Sequence, residues 1–289
     1  MKILLLILAT AIWGAGFMGT RWTLDTYTPL WSHSLRFIFA GLIISPIIIF
    51  NYKKINWKKG LILSILLFIA LILQTYGIKY TSLAKSGFIT TFYALFTPML
   101  LGIYYKKKFS NAYWGIVAMA IFGMALLCDL EWSGFNIGDA YTLASALFFS
   151  IHIIAIDKIA FDEPPILLNG VQCFFMGIIG LIYGVLIEGV PNLDSINFTH
   201  EDFNQKVVLG FVILSVFSSL IAFSIQMIAQ KEIPSHLVSL IFLMESIFAS
   251  ILGYFAFDEK LTMTAMFGAL IVLLAVMLLK PILNKQVDV

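Results

Sequence analysis

Charge is scarce in this chain. Lys, Arg, Asp and Glu make up 12% of its 289 residues, against about 25% in ordinary soluble domains. A soluble core of this size needs polar residues to coat it, and they are missing. A soluble enzyme is excluded, and so is a disordered chain, which is poor in apolar residues. The 18 Lys and Arg against 16 Asp and Glu leave a net charge of +2, with no basic block of the kind nucleic acid requires. Cysteine is nearly absent too. Cys128 and Cys173 fall in or at the edge of apolar runs, read as small apolar residues, and predict no disulfide. The chain has no G-x-x-x-x-G-K-[ST] loop, no H-E-x-x-H, no G-x-S-x-G and no Cys/His cluster. ATP hydrolysis, a metal site and a bound cofactor are therefore not expected, and nothing suggests an ATPase subunit as partner.

What is abundant is apolar: 61% of residues are hydrophobic and 15% aromatic, and the mean hydropathy is +0.97. A membrane-crossing helix needs about 20 mostly apolar residues. Ten stretches qualify: 3–22, 30–50, 60–79, 84–104, 111–128, 138–157, 165–187, 207–229, 236–256 and 262–280. The runs are continuous and not alternating, which argues against a β-barrel. The first run continues through Trp13-Gly14-Ala15-Gly16 with no cleavage site before a polar start, so it reads as an uncleaved span. Cytoplasmic loops attract Lys and Arg. Lys53, Lys54, Lys106, Lys107 and Lys108 lie on the side of the N-terminus, while Asp129, Glu131, Asp194 and Glu201 collect opposite. Both termini are expected in the cytoplasm, with the chain in the cytoplasmic membrane.

The layout repeats. At an offset of 152 positions Gln74 meets Gln226, Lys79 meets Lys231, Phe96 meets Phe248 and Lys108 meets Lys260. Five spans per copy is an odd number, so consecutive copies enter the membrane from opposite sides. The expected fold is all-α and polytopic: ten transmembrane helices in two inverted five-helix repeats, 1–130 and 136–281. Inverted repeats recur in transporters with a site near the midplane.

The same segments carry a family resemblance. Trp13-Gly14 followed by Leu35-Arg36-Phe37, then Tyr80-Thr81-Ser82-Leu83-Ala84-Lys85-Ser86-Gly87-Phe88, mark the first half. Gly138-Asp139 with Ser145-Ala146-Leu147-Phe148, Glu245, and Asp258-Glu259-Lys260-Leu261 mark the second. In order and spacing they resemble the EamA-type transporters of the drug/metabolite transporter superfamily. There are departures: Ser246 stands where the family commonly has proline, and Lys106-Lys107-Lys108 replaces an acidic turn. The resemblance implies ten helices around a central cavity and secondary transport, often export, of small metabolites such as amino acids.

Ionisable groups inside spans are costly and are functional candidates by default. Arg36 is either helix-to-helix glue or a gating element. Glu245 is a proton site, a cation contact or the cap of a packing network, and the offset sets Tyr93 opposite it. Ser86, Thr90, Tyr93 and Thr97 follow one helical face, which either looks into a wet cavity or packs helices closely. Gln74 and Gln226 offer donors and acceptors. His152 either titrates near neutral pH or packs. Ser239 lies beside Glu245 in the ninth span. Trp13 and Tyr76 would give flat walls for an apolar solute part. Pro98 removes a backbone hydrogen bond and is expected to bend the fourth span. Trp13, Gln74, Tyr76, Thr90, Tyr93, His152, Gln226, Ser239 and Glu245 are thus the candidate substrate contacts, with Arg36 and Pro98 structural or gating. The function expected is a secondary transporter of a small polar or amphipathic solute through the lipid bilayer. An intramembrane enzyme, or a non-transporting scaffold or sensor, is the alternative.

Overall fold

The computed structural model describes residues 2–81, 83–128, 134–257 and 262–279. Asp129, Glu131 and the 258–261 turn fall outside the described residues. Every regular element described is helical. Local chemistry sets most of the helix starts. α1 (Lys2–Leu24) is followed by α2 (Pro29–Phe50), which opens on a proline whose missing N–H is not needed there. The Thr28 hydroxyl accepts from Trp31 N at 3.2 Å. α3 (Trp57–Tyr80) is capped by Asn56. α4 (Leu83–Thr90) and α5 (Tyr93–Tyr105) share one apolar run, and α5 stops where Lys106 turns left-handed at φ 54°. α6 (Asn111–Leu127) starts from the Ser110 cap.

α7 (Ile137–Ile159) begins with a reciprocal capping box between Asn136 and Asp139. α8 (Pro165–Glu188) opens on proline, as α2 does. α9 (Gln205–Val212) runs into a π-helical stretch, Ile213–Ala222, and on into α10 (Phe223–Ala229). α11 (Ser235–Ile241), α12 (Met244–Phe257) and α13 (Met263–Met277) complete the order.

Among the described residues, 8 helical runs are long and apolar enough to cross a membrane, and α6 and α13 are shorter apolar helices. At 17 and 15 residues these two extend about 26 and 23 Å, short of the ~30 Å hydrocarbon layer.

Two expected spans are each interrupted. The first breaks at Thr91-Phe92, where Thr91 N bonds Phe88 O at 3.0 Å and Phe92 N bonds Ile89 O at 3.1 Å. The second breaks at Phe242-Leu243, where Leu243 N bonds Leu240 O at 3.3 Å and Glu245 N bonds Phe242 O at 2.9 Å. Bonds three residues apart tighten the turn locally. Pro98 lies further along, inside a continuous α5, so the break precedes it.

Residue placement is inverted relative to a soluble protein. Leu4, Phe50, Leu186 and Phe255 stand exposed on the outside, while Arg36, Asn169, Gln172, His152 and a series of Ser and Thr are buried. An apolar exterior suits lipid, and polar groups turn inward.

The tightest packing pairs α2 with α8, α3 with α7 and α6 with α13; α1 packs on α12 and along the run from α9 to α10. Small residues make the approaches close. A Cβ on Gly77 would sit 2.2 Å from Thr142 Oγ1, between α3 and α7. One on Gly268 would sit 2.3 Å from Leu127 N and 2.5 Å from Gly123 O, between α13 and α6.

Candidate functional site

A cavity lies at the centre of the helices. It leaves about 80 Å³ for water centres, several times the ~10–15 Å³ that one water needs. Its wall is drawn from both ends of the chain. α1 supplies Trp13, Gly16, Phe17 and Thr20; α2 gives Arg36; α3 gives Gln74; α4 and α5 give Thr90 and Tyr93. From the other side come Phe149 and His152 of α7, Ser218 of the π-helical stretch, Phe223 and Gln226 of α10, and Phe242 and Glu245 beside the second break.

Eight of the sequence candidates therefore meet here: Trp13, Arg36, Gln74, Thr90, Tyr93, His152, Gln226 and Glu245. Tyr76 stands off the wall, half-buried, with its ring 6.1 Å from that of Tyr141. Ser239 is buried in α11 and donates to His236 O at 3.1 Å. The polar row of the fourth span is split. Ser86 faces Thr142 at 3.3 Å, and Thr97 donates back to Tyr93 O at 2.7 Å, so only Thr90 and Tyr93 reach the cavity.

Aromatic rings form one wall. Trp13 packs on Phe223 at 5.0 Å and edge-on to Phe242 at 4.9 Å between centroids. Tyr93 touches Phe149 and Phe242. These edge and tilted contacts are the arrangements aromatic quadrupoles favour.

Polar order comes from a network around the π-helical stretch. Arg36 Nε donates to Ser219 Oγ and a terminal guanidinium nitrogen donates to Ser218 Oγ, each at 2.7 Å. Trp13 Nε1 donates to Ser218 O at 3.2 Å. Asn169 Nδ2, from α8, lies 3.0 Å from Ser219 O, Leu220 O and Ser224 Oγ. A π-helix leaves backbone carbonyls poorly matched inside an α-helical run, and such segments recur at functional sites; here side chains of α1 and α8 answer those carbonyls.

Gln172 Nε2 continues the network to Asn169 Oδ1 at 3.3 Å, and Gln172 Oε1 meets His152 Nε2 at 2.9 Å. Glu245 has no hydrogen bond or ion pair to its carboxylate among the described residues, although Arg36 acts on it electrostatically across the cavity. His152 and Glu245 do not share a bond.

Sequence reading missed Ser218, Phe223, Phe242, Asn169 and Gln172. Asn169, Gln172 and Cys173 at spacing three and four in an apolar run are a polar stripe that could have flagged α8.

The family model of the EamA-like transporters, within the drug/metabolite transporter superfamily, matches residues 1–128 and again residues 136–280. The chain belongs to the EamA-like transporter family. A protein of Archaeoglobus fulgidus named as an uncharacterized transporter is 30% identical over 273 residues, 94% of this chain and 83% of that one. One of Buchnera aphidicola with the same printed name is 22% identical, over 90% of this chain and 87% of its own. A solved crystal structure superimposes with a TM-score of 0.79 at 15% identity, covering 99% of this chain and 98% of the other; at that identity it speaks for the fold alone. EamA membership and the apolar helices make this a multi-pass membrane protein of a transporter family, with a small-molecule solute and the bilayer as its partners.

Proposed function

We propose that the chain is a secondary transporter that exports a small polar or amphipathic metabolite, amino acids among the candidates, across the cytoplasmic membrane by alternating access. The observation that carries this reading is the cavity, walled by both matched segments and containing a guanidinium and a carboxylate that do not pair with each other. Such a site is costly to build in a membrane and is retained where a solute uses it.

Two inverted repeats, 1–130 and 136–281, supply the moving parts in this proposal. Several correspondences support it. α1 and α7 are both 23 residues long, α2 and α8 both open on proline, and the capped short helices α6 and α13 each close a segment. Interrupted spans sit at matching places, α4–α5 in one copy and α11–α12 in the other. With both termini cytoplasmic, the basic loops 53–59 and 106–108 lie inside, as the charge rule favours.

Reconstitution into proteoliposomes tests the function. Counterflow of a labelled solute that is lost in Glu245→Gln, with the protein still folded, is the expected result. Absence of flux for every member of a broad metabolite panel by intact protein would remove the reading.

A further inference from the structure

The two ends of the cavity differ. Contacts between connecting segments say which end is which. Lys2 pairs with Glu232 at 3.3 Å and Lys59 with Glu163 at 2.8 Å on the side that carries the N-terminus. On the far side Thr28 donates to Glu188, and Tyr27 OH meets Ser195 Oγ at 2.9 Å. Toward the far side the cavity wall runs nearly to the helix ends, through Thr20 of α1 and Ile78 of α3. Toward the N-terminal side it stops at Ile153 and Gln226. Beyond them lies α11, whose residues are all buried and which packs on α1, α5 and α7 together. α4 holds the matching place in the other segment. It packs on α3 and α7, and among the described residues no comparable contact joins it to α1.

Polar contacts pin α11 and the turn before it to α7. Ile153 O can only accept, so Gln230 Nε2, 2.9 Å away, donates to it. Gln230 Oε1 then accepts from Gln226 Nε2 at 2.7 Å. One helical turn further along α7, Asp157 accepts from Ser235 Oγ at 3.1 Å. Gln226, Gln230 and Ser235 are each at most 3% exposed, so the glutamine bonds are made out of water, where they are strong. Gln226 Oε1 is sealed in with no partner. A buried acceptor left unmet is costly, and water admitted by opening would meet it. The closed form is thus held by these bonds and opposed by one unmet atom.

The far side has no such clasp. At the repeat offset of 152, Gln226 and Gln230 correspond to Gln74 and Ile78. Gln74 Nε2 reaches Thr90 Oγ1 at 3.4 Å within its own segment, and the Ile78 side chain has nothing to donate. α11 also has a place to bend. Its run breaks at Phe242-Leu243, and Phe242 and Glu245 beside that break line the cavity.

We propose that α11 is a gate. It shuts the cavity toward the N-terminal side, Gln230 and Ser235 latch it to Ile153 O and Asp157 of α7, and the break at Phe242-Leu243 is its hinge. The path to the far side, past Thr20 and Ile78, is the open one in this structure. The gate is one step of alternating access and rests on the transporter reading above. A solute in the cavity touches the hinge through Phe242 and Glu245, so its arrival bears on the latch without reaching it. Gln230 and Ser235 are positioning residues that touch no solute.

The test uses full-length protein in sealed vesicles, with orientation read by protease cleavage of an N-terminal tag. Thr20→Cys or Phe149→Cys reports from the cavity wall to a membrane-impermeant methanethiosulfonate. Peptide mass spectrometry separates the reporter from Cys128 and Cys173. Both reporters are expected to label from the far side and to resist label from the N-terminal side. With the latch intact, labelling that is equal from both sides, or that favours the N-terminal side, overturns the proposal. Gln230→Leu and Ser235→Ala should each raise labelling from the N-terminal side about tenfold, the shift that losing a buried hydrogen bond gives a two-state equilibrium. General loosening would raise it from both sides. Asp157→Asn keeps an acceptor for Ser235 and should label as the native latch does, while Asp157→Ala should match Ser235→Ala. If Gln230→Leu and Ser235→Ala fold and neither changes labelling from the N-terminal side, the latch is wrong. Flux separates the two readings. One-sided labelling without transport of any solute keeps the gate and removes the transporter, and transport by a protein that labels equally from both sides does the reverse.

Discussion

Lys85 Nζ meets the Asp139 carboxylate at 2.6 Å, joining α4 of the first matched segment to α7 of the second. Asp139 is fully buried and also accepts from Thr81 Oγ1 at 2.7 Å and Asn136 N at 2.8 Å. Lys85 donates further to Gly134 O. Removing the charge of one partner strands the other. Asp139→Asn is expected to lower the melting temperature in detergent by an amount equivalent to about 1–3 kcal/mol. Adding Lys85→Met should recover part of it, measured as a double-mutant cycle. Additive losses would show that the two residues act separately.

The α6–α13 contact has no room for a methyl group. A Cβ on Gly268 would lie 2.3 Å from Leu127 N and 2.5 Å from Gly123 O, both backbone atoms that no rotamer change can move. Gly268→Ala should cost about 1–3 kcal/mol or more and appear as an early shoulder in size-exclusion profiles on heating. Gly115→Ala in α6, with open space at its Cβ, is the control and should be near neutral.

Asn169 satisfies two backbone carbonyls of the π-helical stretch at once. Asn169→Leu keeps the volume and loses both bonds. Expected losses are about 1 kcal/mol for each bond and more if the carbonyls stay dry. Hydrogen exchange should rise in residues 213–222 before it rises elsewhere. Unchanged protection there would mean that the stretch holds itself.

Arg36 uses a fork of nitrogens to reach Ser218 and Ser219 together, each at 2.7 Å. A lysine cannot reproduce that planar geometry. Transport in Arg36→Lys should fall more than about tenfold, while Ser219→Ala, which removes one of the two acceptors, should fall less. Equal rates for Arg36→Lys and the native protein would assign Arg36 to general charge alone.

Eight of the ten expected spans were legible because apolar runs of about 20 residues have few other uses, while 111–128 and 262–280 gave shorter apolar helices. Arg36, Glu245 and His152 stood out because a charged or titratable group in a run of Leu, Ile and Phe needs a reason. The site's finer plan was less visible. Helical spacing put Ser86, Thr90, Tyr93 and Thr97 on one face, but the break at Thr91-Phe92 resets the face part-way, and Ser86 and Thr97 end elsewhere. Tyr76 shares α3 with Gln74, and Ser239 lies in α11 just before Phe242, yet neither lines the cavity. The π-helical stretch leaves no mark in its own residues, since its spare carbonyls are answered by Trp13 and Asn169 from distant parts of the chain.

That stretch also bears on how such a protein can change over generations. A π turn holds one residue more than the α-helix around it. A single residue can be lost between 213 and 222 and the ordinary ladder close again with the flanking turns near their present register, whereas the same loss inside regular α-helix would swing everything after it about 100° around the axis. α1, α2 and α8 would keep their places. Changes of one residue in length are thus absorbed within the stretch itself, and Phe223 and Gln226 keep the face they present while the scaffold stays intact.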